Sequence, residues 1–257
     1  MGNSADSKIS YAAPALEKGF NVIELLATAP GGLTMSEIAA RLGHRSMSEI
    51  FRVIMVMERR GWLAKDTETD KYTVTYQVFD TVLRALPAHD LMLVATPAML
   101  NLSREIEQSC HLVVLNGSRG LVILRQEGPG PTGFTVQQGA EIDPVRTASG
   151  HVLAAFSNPA IIKPILERDQ NVTDKDLARI ERVRRQGYEI TPSIRTRGVT
   201  DMSCPILGFD GYAMAALTVP FLELIDGTQT VNEKAALDKL VKAAARISTA
   251  MGYASVV

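Results

Sequence analysis

The chain has 257 residues and a net charge of -1, enough length for one large domain or two of ordinary size. Hydrophobic residues make up 46% and charged residues 21%, which supplies a sizeable core and excludes bulk disorder. A balance so near zero gives the whole chain no electrostatic attraction for nucleic acid. The two cysteines, Cys110 and Cys204, have no metal-type spacing and fit a reducing compartment. No apolar run is long enough to span a bilayer, and no charged-then-apolar leader opens the chain, so the expectation is a cytoplasmic protein without a signal peptide.

In chain order, residues 1–10 are small and polar and read as an unstructured lead. Pro14 suits a first helical turn. Leu16, Phe20, Ile23 and Leu26 then recur at helical spacing, and the helix ends before Pro30-Gly31-Gly32. Thr34-Met35-Ser36-Glu37 and Ser46-Met47-Ser48-Glu49 both fit the Ser/Thr-x-x-Glu capping box. They predict two short helices joined by a turn at Leu42-Gly43-His44-Arg45. The first turns Ile38, Ala39 and Leu42 inward; the second turns Ile50, Ile54 (or Val53) and Met57 inward. Residues 62–65 and 71–74 read as strands around the polar turn 66–70. Two short helices after a longer one, followed by a hairpin, form a winged helix-turn-helix.

Between Arg41 and Lys65, six basic side chains stand against two acidic ones, a local excess of +4. That excess falls on the segment expected to face DNA. Arg45, Ser46, Ser48, Phe51 and Arg52 lie at or near the exposed front of the recognition helix. They are candidates for phosphate contact, and for base contact from the N-terminal half. Glu49 either turns inward as a capping residue or accepts from cytosine. Lys65 and Lys71 on the wing are phosphate neighbours or surface lysines.

Val78, Val82 and Leu86 sit four apart and predict a connecting helix interrupted by Pro87. A further helix runs through Leu100 and Ile106. Residues 111–115 and 121–125 are β-rich around a Gly-containing turn, a hairpin signal, and 134–138 is a candidate strand. Residues 148–156 read as a buried helix, 174–186 as an amphipathic one, 206–219 as a second hairpin, and 234–251 as a closing helix. The second half is thus an α+β sensor domain with a largely antiparallel sheet.

The segments PALEKGFNVIELLATAPGGLTMSEIAARLG, MSEIFRVIMVMERRGWL, TASGHVLAAF, RRQGYEI, RGVTDMSCPI and GYAMAALTVP occur in this order. Together they resemble the IclR family of bacterial transcriptional regulators from about Ala13 to about Gly252. The resemblance implies an α+β chain: a winged helix-turn-helix over 13–75, a linker and dimerisation helix over 76–90, and a GAF-like effector-binding domain over 91–257. It implies dimers that assemble into tetramers, operator DNA and a small-molecule effector as partners, and no catalysis, cofactor or metal. This chain departs from the common pattern at Ser48-Glu49, where a Ser-Thr pair is frequent. It departs again at His151, where a lysine follows the glycine, and at Asp201, where a cysteine or other small residue is frequent.

The resemblance marks Ala148-Ser149-Gly150 as a small-residue loop whose amides bind an anionic or hydroxyl group, or as a site of close helix–sheet packing. It marks Thr191, Asp201, Thr218 and Pro220 as effector-lining positions. Asp201 has an amine, sugar hydroxyls or Arg146 as candidate partners. A carboxylate at that place favours a polyhydroxylated or hydroxylated metabolite, such as a sugar or a hydroxylated acid, over a simple two- or three-carbon acid. Two rivals stand beside this reading. One is an enzyme acting on a metabolite with an appended DNA-binding domain, for which the sequence offers no nucleophile–base constellation; His111 and His151 with Cys204 are considered as a metal or nucleophilic cluster, without a local motif. The other is a constitutive DNA-binding protein with an emptied sensor domain.

Overall fold

The computed structural model describes residues 13–85 and 88–254, without the side chains of 82–89. The expected unstructured lead over 1–10, the break at Pro87 and the Leu86 member of the apolar stripe lie outside the described residues, as does the Val82 side chain. The chain divides into two compact units with the boundary between residues 86 and 87.

The first unit opens with α1 (Pro14–Ala27), which has proline in its first turn. Val22 and Leu26 are its buried residues. Leu16 and Phe20, whose spacing marks the helix, are 60% and 57% exposed. They lie roughly 120–160° round the helix from Val22, so they fall on its flank, along a groove that Val56 and Trp62 complete. A two-residue strand, β1 (Leu33–Thr34), leads into α2 (Met35–Arg41). Here the expected capping box forms. The Thr34 hydroxyl accepts from the Glu37 amide, and the Glu37 carboxylate accepts from the Thr34 amide at 2.8 Å.

The second capping box does not form. α3 spans Ser48–Arg59 with Met47 at its cap, already in helical geometry and without a side-chain cap bond. The Ser46 hydroxyl is bonded instead to that of Ser48, at 2.7 Å. The Glu49 carboxylate reaches one residue further back, accepting from the Arg45 amide at 3.1 Å and facing the His44 ring at 3.2 Å. The inward face is as expected: Ile50, Ile54 and Met57 are buried. β2 (Leu63–Lys65) and β3 (Lys71–Val74) make the wing. β1, which the sequence reading lacked, pairs with β3 from the other side. Ten buried side chains from all these elements, Ile38 and Tyr72 among them, form the unit's core. α4 (Gln77–Ala85) follows.

The second unit begins with α5 (Ala88–Ile106), a longer helix than expected, which buries Leu91, Ala95, Met99, Leu102 and Ile106 at helical spacing. Next come β4 (Cys110–Asn116), β5 (Arg119–Gln126) and β6 (Glu141–Ile142). Residues 134–138 are not a strand. They run as coil beside β5, held by the Gln138 amide on the Ile123 carbonyl and by Arg125 on Gln137. α6 (Ala148–Phe156) and α8 (Asp174–Gln186) match the expected helices, and α7 (Pro159–Arg168) lies between them, unforeseen. β7 (Glu189–Pro192), also unforeseen, precedes β8 (Val199–Leu207), β9 (Ala213–Leu222) and the closing α9 (Glu233–Ala250).

The six strands form one antiparallel sheet in the order β6-β5-β4-β9-β8-β7. Strand periodicity assigns its two faces. Leu112, Leu217, Val219, Met202 and Cys204 pack with α5 and α9. Val113 and Ala216 pack with α6 and α8. Directly opposed residues in antiparallel strands share a face. The register therefore sets His111, Thr218, Ser203 and Glu189 in one row, and Pro220, Asp201 and Thr191 in the next, both on the α6 side. That side thus carries polar side chains where an ordinary core would be apolar.

Candidate DNA-binding face and effector pocket

In the first unit, Arg45, Ser46, Ser48, Glu49, Phe51 and Arg52 are all exposed. α3 places Arg52 roughly 200° from Ile50, so packing the core forces it outward. Neither Arg45 nor Arg52 makes a side-chain ion pair among the described residues. Phe51 is half exposed. Burial works to raise the Glu49 pKa, yet the bonds from His44 and Arg45 prevail and lower it. The carboxylate thus braces the turn before α3. Lys65 is not a free wing cation: its ammonium meets Asp70 at 2.6 Å and lies 5.9 Å from the centre of the Tyr72 ring. Its pKa is raised by the Asp70 bond.

In the second unit, the polar side of the sheet and the start of α6 enclose a cavity of about 50 Å³. Thr147, Ala148 and Ser149 form one side, Thr218 and His111 the floor, and Asp201 with Ser193 and Arg195 the other side. Phe134, Val136, Ile142 and Ile194 supply apolar walls. Of the expected residues, Ala148, Ser149, Asp201 and Thr218 meet here. Thr191 and Pro220 do not line the cavity; they flank Asp201 in the sheet, one on each side. Arg146 is also outside it: it is largely exposed and faces Asp143 at 3.8 Å. The cation beside Asp201 is Arg195, brought in by the loop between β7 and β8.

The start of α6 is built closely. The Thr147 hydroxyl donates to the Asp143 carbonyl at 2.8 Å and accepts from the Gly150 amide at 3.1 Å. A Cβ on Gly150 would lie 2.2 Å from the Asp143 carbonyl oxygen, so only glycine lets the helix approach this turn. Among the described residues, the Ala148 and Ser149 amides have no protein acceptor, as expected of the first helical positions. They give the cavity a partly positive edge.

Asp201 lines the same cavity. Burial pushes its carboxyl above the usual carboxylate range, against the opposing pull of Ser193 and Arg195. Beneath the pocket, Glu189 is fully buried. Its carboxylate holds His151 Nδ1 at 2.9 Å, Arg179 Nε at 2.9 Å and an Arg182 terminal nitrogen at 3.0 Å. The other ring nitrogen of His151, Nε2, donates to the Val145 carbonyl at 2.7 Å. The residue in place of the family's lysine therefore ties the α6 entrance loop to α8 and β7.

His111 and Cys204 point to opposite faces of the sheet, so the cluster considered for catalysis is not assembled. Cys110 and Cys204 are buried free thiols, each pushed up to about 12 by burial. They act as small core side chains. Sequence reading missed Ser193, Arg195 and His111 as pocket residues. For His111 a signal existed: a polar residue at an inward position of an otherwise apolar strand. For the 193–195 loop none did, because its approach depends on how far β7 extends.

The model of the IclR helix-turn-helix domain matches residues 15–67, and that of the bacterial transcriptional regulator IclR C-terminal domain matches 83–249. The regulator KdgR of Escherichia coli K12 is 26% identical, the match spanning 98% of this chain and 98% of KdgR. The regulator XynR of the same strain is 22% identical over 93% of this chain and 97% of its own. Among solved structures, an IclR homologue of Microbacterium hydrocarbonoxydans complexed with 4-hydroxybenzoate has a TM-score of 0.74 at 21% identity, covering 92% of this chain and 98% of that one. HmgR of Pseudomonas aeruginosa also has a TM-score of 0.74 at 21% identity, covering 94% and 100%. With both family domains in order along the chain, this protein belongs to the IclR family and is a ligand-responsive, DNA-binding transcriptional regulator.

Proposed function

We propose that the cavity between α6 and the sheet binds a small hydroxylated carboxylic acid, and that its occupancy changes how the α3 face holds operator DNA. The carrying observation is that two helix-start amides without a protein acceptor and the Asp201 carboxylate belong to the lining of one cavity. A ligand carboxylate satisfies the amides, and a ligand hydroxyl donates to Asp201. An unhydroxylated acid gives Asp201 no donor beyond the Ser193 and Arg195 it already has, so it gains nothing from that side of the pocket. A cavity of about 50 Å³ holds roughly three to five water-sized groups, which favours a short hydroxy acid over a sugar. The Microbacterium homologue's ligand, 4-hydroxybenzoate, is itself a hydroxylated acid.

The protein acts in the cytoplasm on genes of a catabolic pathway, without catalysis, as a dimer or a dimer of dimers on a pseudo-palindromic operator. Arg45, Ser46, Ser48, Phe51 and Arg52 contact the DNA, and Ala148, Ser149, Asp201 and Thr218 contact the effector. Calorimetry with glycolate, lactate and glycerate, against acetate and propionate, tests this reading. The hydroxylated acids bind the wild type, Asp201→Asn weakens them about tenfold, and the operator affinity of the ligand-free variant is unchanged. Equal affinity of Asp201→Asn and wild type for these acids removes Asp201 from the site.

A further inference from the structure

His111 lies on β4, opposite Thr218 on β9, and is 3% exposed. It lines the same cavity as Ala148 and Asp201. Its Nδ1 is fully buried and, among the described residues, is the one buried side-chain nitrogen or oxygen without a hydrogen-bond partner. Buried polar groups in native proteins are almost always paired, and an orphan marks a group awaiting a ligand or a strained functional position. The neighbouring hydroxyls do not need it: Thr218 and Ser203 satisfy one another at 2.9 Å.

We propose that His111 is a specificity-determining contact of the effector pocket, its imidazole hydrogen-bonding a hydroxyl of the bound acid on the sheet floor. This rests on the pocket assignment above and deepens it. The ring is neutral at ordinary pH, because burial lowers its pKa to about 4. A neutral imidazole nitrogen either donates or accepts, according to tautomer. A hydroxyl that donates to Asp201 can still accept from the ring N–H, so one hydroxyl answers both groups, whereas a carboxylate or ketone oxygen only accepts and gives Asp201 no donor. The floor therefore selects a hydroxyl adjacent to the carboxylate that α6 holds. A ring kept neutral also makes this preference independent of pH from about 5 upward.

An orphaned polar group costs stability until its partner arrives. His111→Leu, an apolar side chain on an otherwise well-packed strand, is thus expected to melt no lower than wild type. It is also expected to bind glycolate and glycerate at least tenfold more weakly and to lose the preference for them over acetate and propionate. His111→Asn keeps a donor and an acceptor and should retain most of the preference. In protein labelled with ¹⁵N-histidine, glycerate should shift a His111 ring-nitrogen resonance. If glycerate binds but the shift is absent, or His111→Leu binds it as wild type does, the role of His111 is overturned while the pocket stands. An Asn variant no better than Leu also overturns it. If the wild type binds none of these acids, or binds acetate as well as glycolate, the pocket reading fails and this one with it.

Discussion

Arg52 is carried outward by the same helical period that buries Ile50 and Ile54. Arg52→Ala should weaken operator binding, by about 1–3 kcal/mol if the guanidinium reads a base edge. If it touches phosphate alone, the loss should be the same on operator and random DNA, and the salt dependence should fall by about one ion. Fluorescence anisotropy at several salt concentrations distinguishes these, and unchanged affinity takes Arg52 out of the interface. Lys65 offers a contrast at the same scale. Its pairing with Asp70 means that removing it also frees a carboxylate on the wing. Lys65→Ala and Asp70→Ala should therefore shift binding in opposite directions.

Helix starts that look alike in sequence differ in the fold. Thr34 caps α2 with both bonds of the box, so Thr34→Ala should cost about 1 kcal/mol in urea unfolding. Ser46 makes no cap bond, and Ser46→Ala should cost only a few tenths. Equal losses would mean that the second box forms in solution. In the second unit, Glu189 joins β7 to α6 and α8 through three cationic or ring partners. Removing one member of a buried ionic cluster leaves the others uncompensated, so Glu189→Ala should cost about 3–5 kcal/mol. Burial opposes the charge on Glu189, but His151 and Arg179 prevail and lower its pKa below the ordinary 4.5. The unfolded chain then binds the proton more readily. The stability Glu189 contributes is present above about 4.5 and is lost as pH falls through the depressed folded value. Denaturant midpoints measured from pH 6 down to 3 should converge for wild type and Glu189→Ala.

At the scale of the whole molecule, the proposed dimer brings two first units together on a pseudo-palindromic operator. α4 bears the exposed Phe79, at 59%, on a helix whose apolar spacing is otherwise too sparse for a domain core. A helix of this kind gains stability by covering its apolar side against a second copy across a two-fold axis. Phe79→Glu with Val82→Glu should give monomers by light scattering and bind a half-site poorly. The wild-type mass in this double variant would move the dimer contact elsewhere.

Local chemistry was enough for much of this. The 3.6-residue spacing of Ile50, Ile54 and Met57, the Thr34–Glu37 box and the glycine turn between β4 and β5 each act within a dozen residues. Their elements were legible from sequence alone, as was the family from the order of its segments. The pocket was legible only in part. Ala148, Ser149, Asp201 and Thr218 could be placed by resemblance, but their meeting depends on sheet register. A one-residue slip sends every side chain of a strand to the other face. Only the tertiary structure could pair His111 with Thr218, leave Thr191 and Pro220 beside the cavity, and choose Arg195 over Arg146 as the cation near Asp201. Those choices follow from contacts between residues far apart in the chain, which no local spacing encodes.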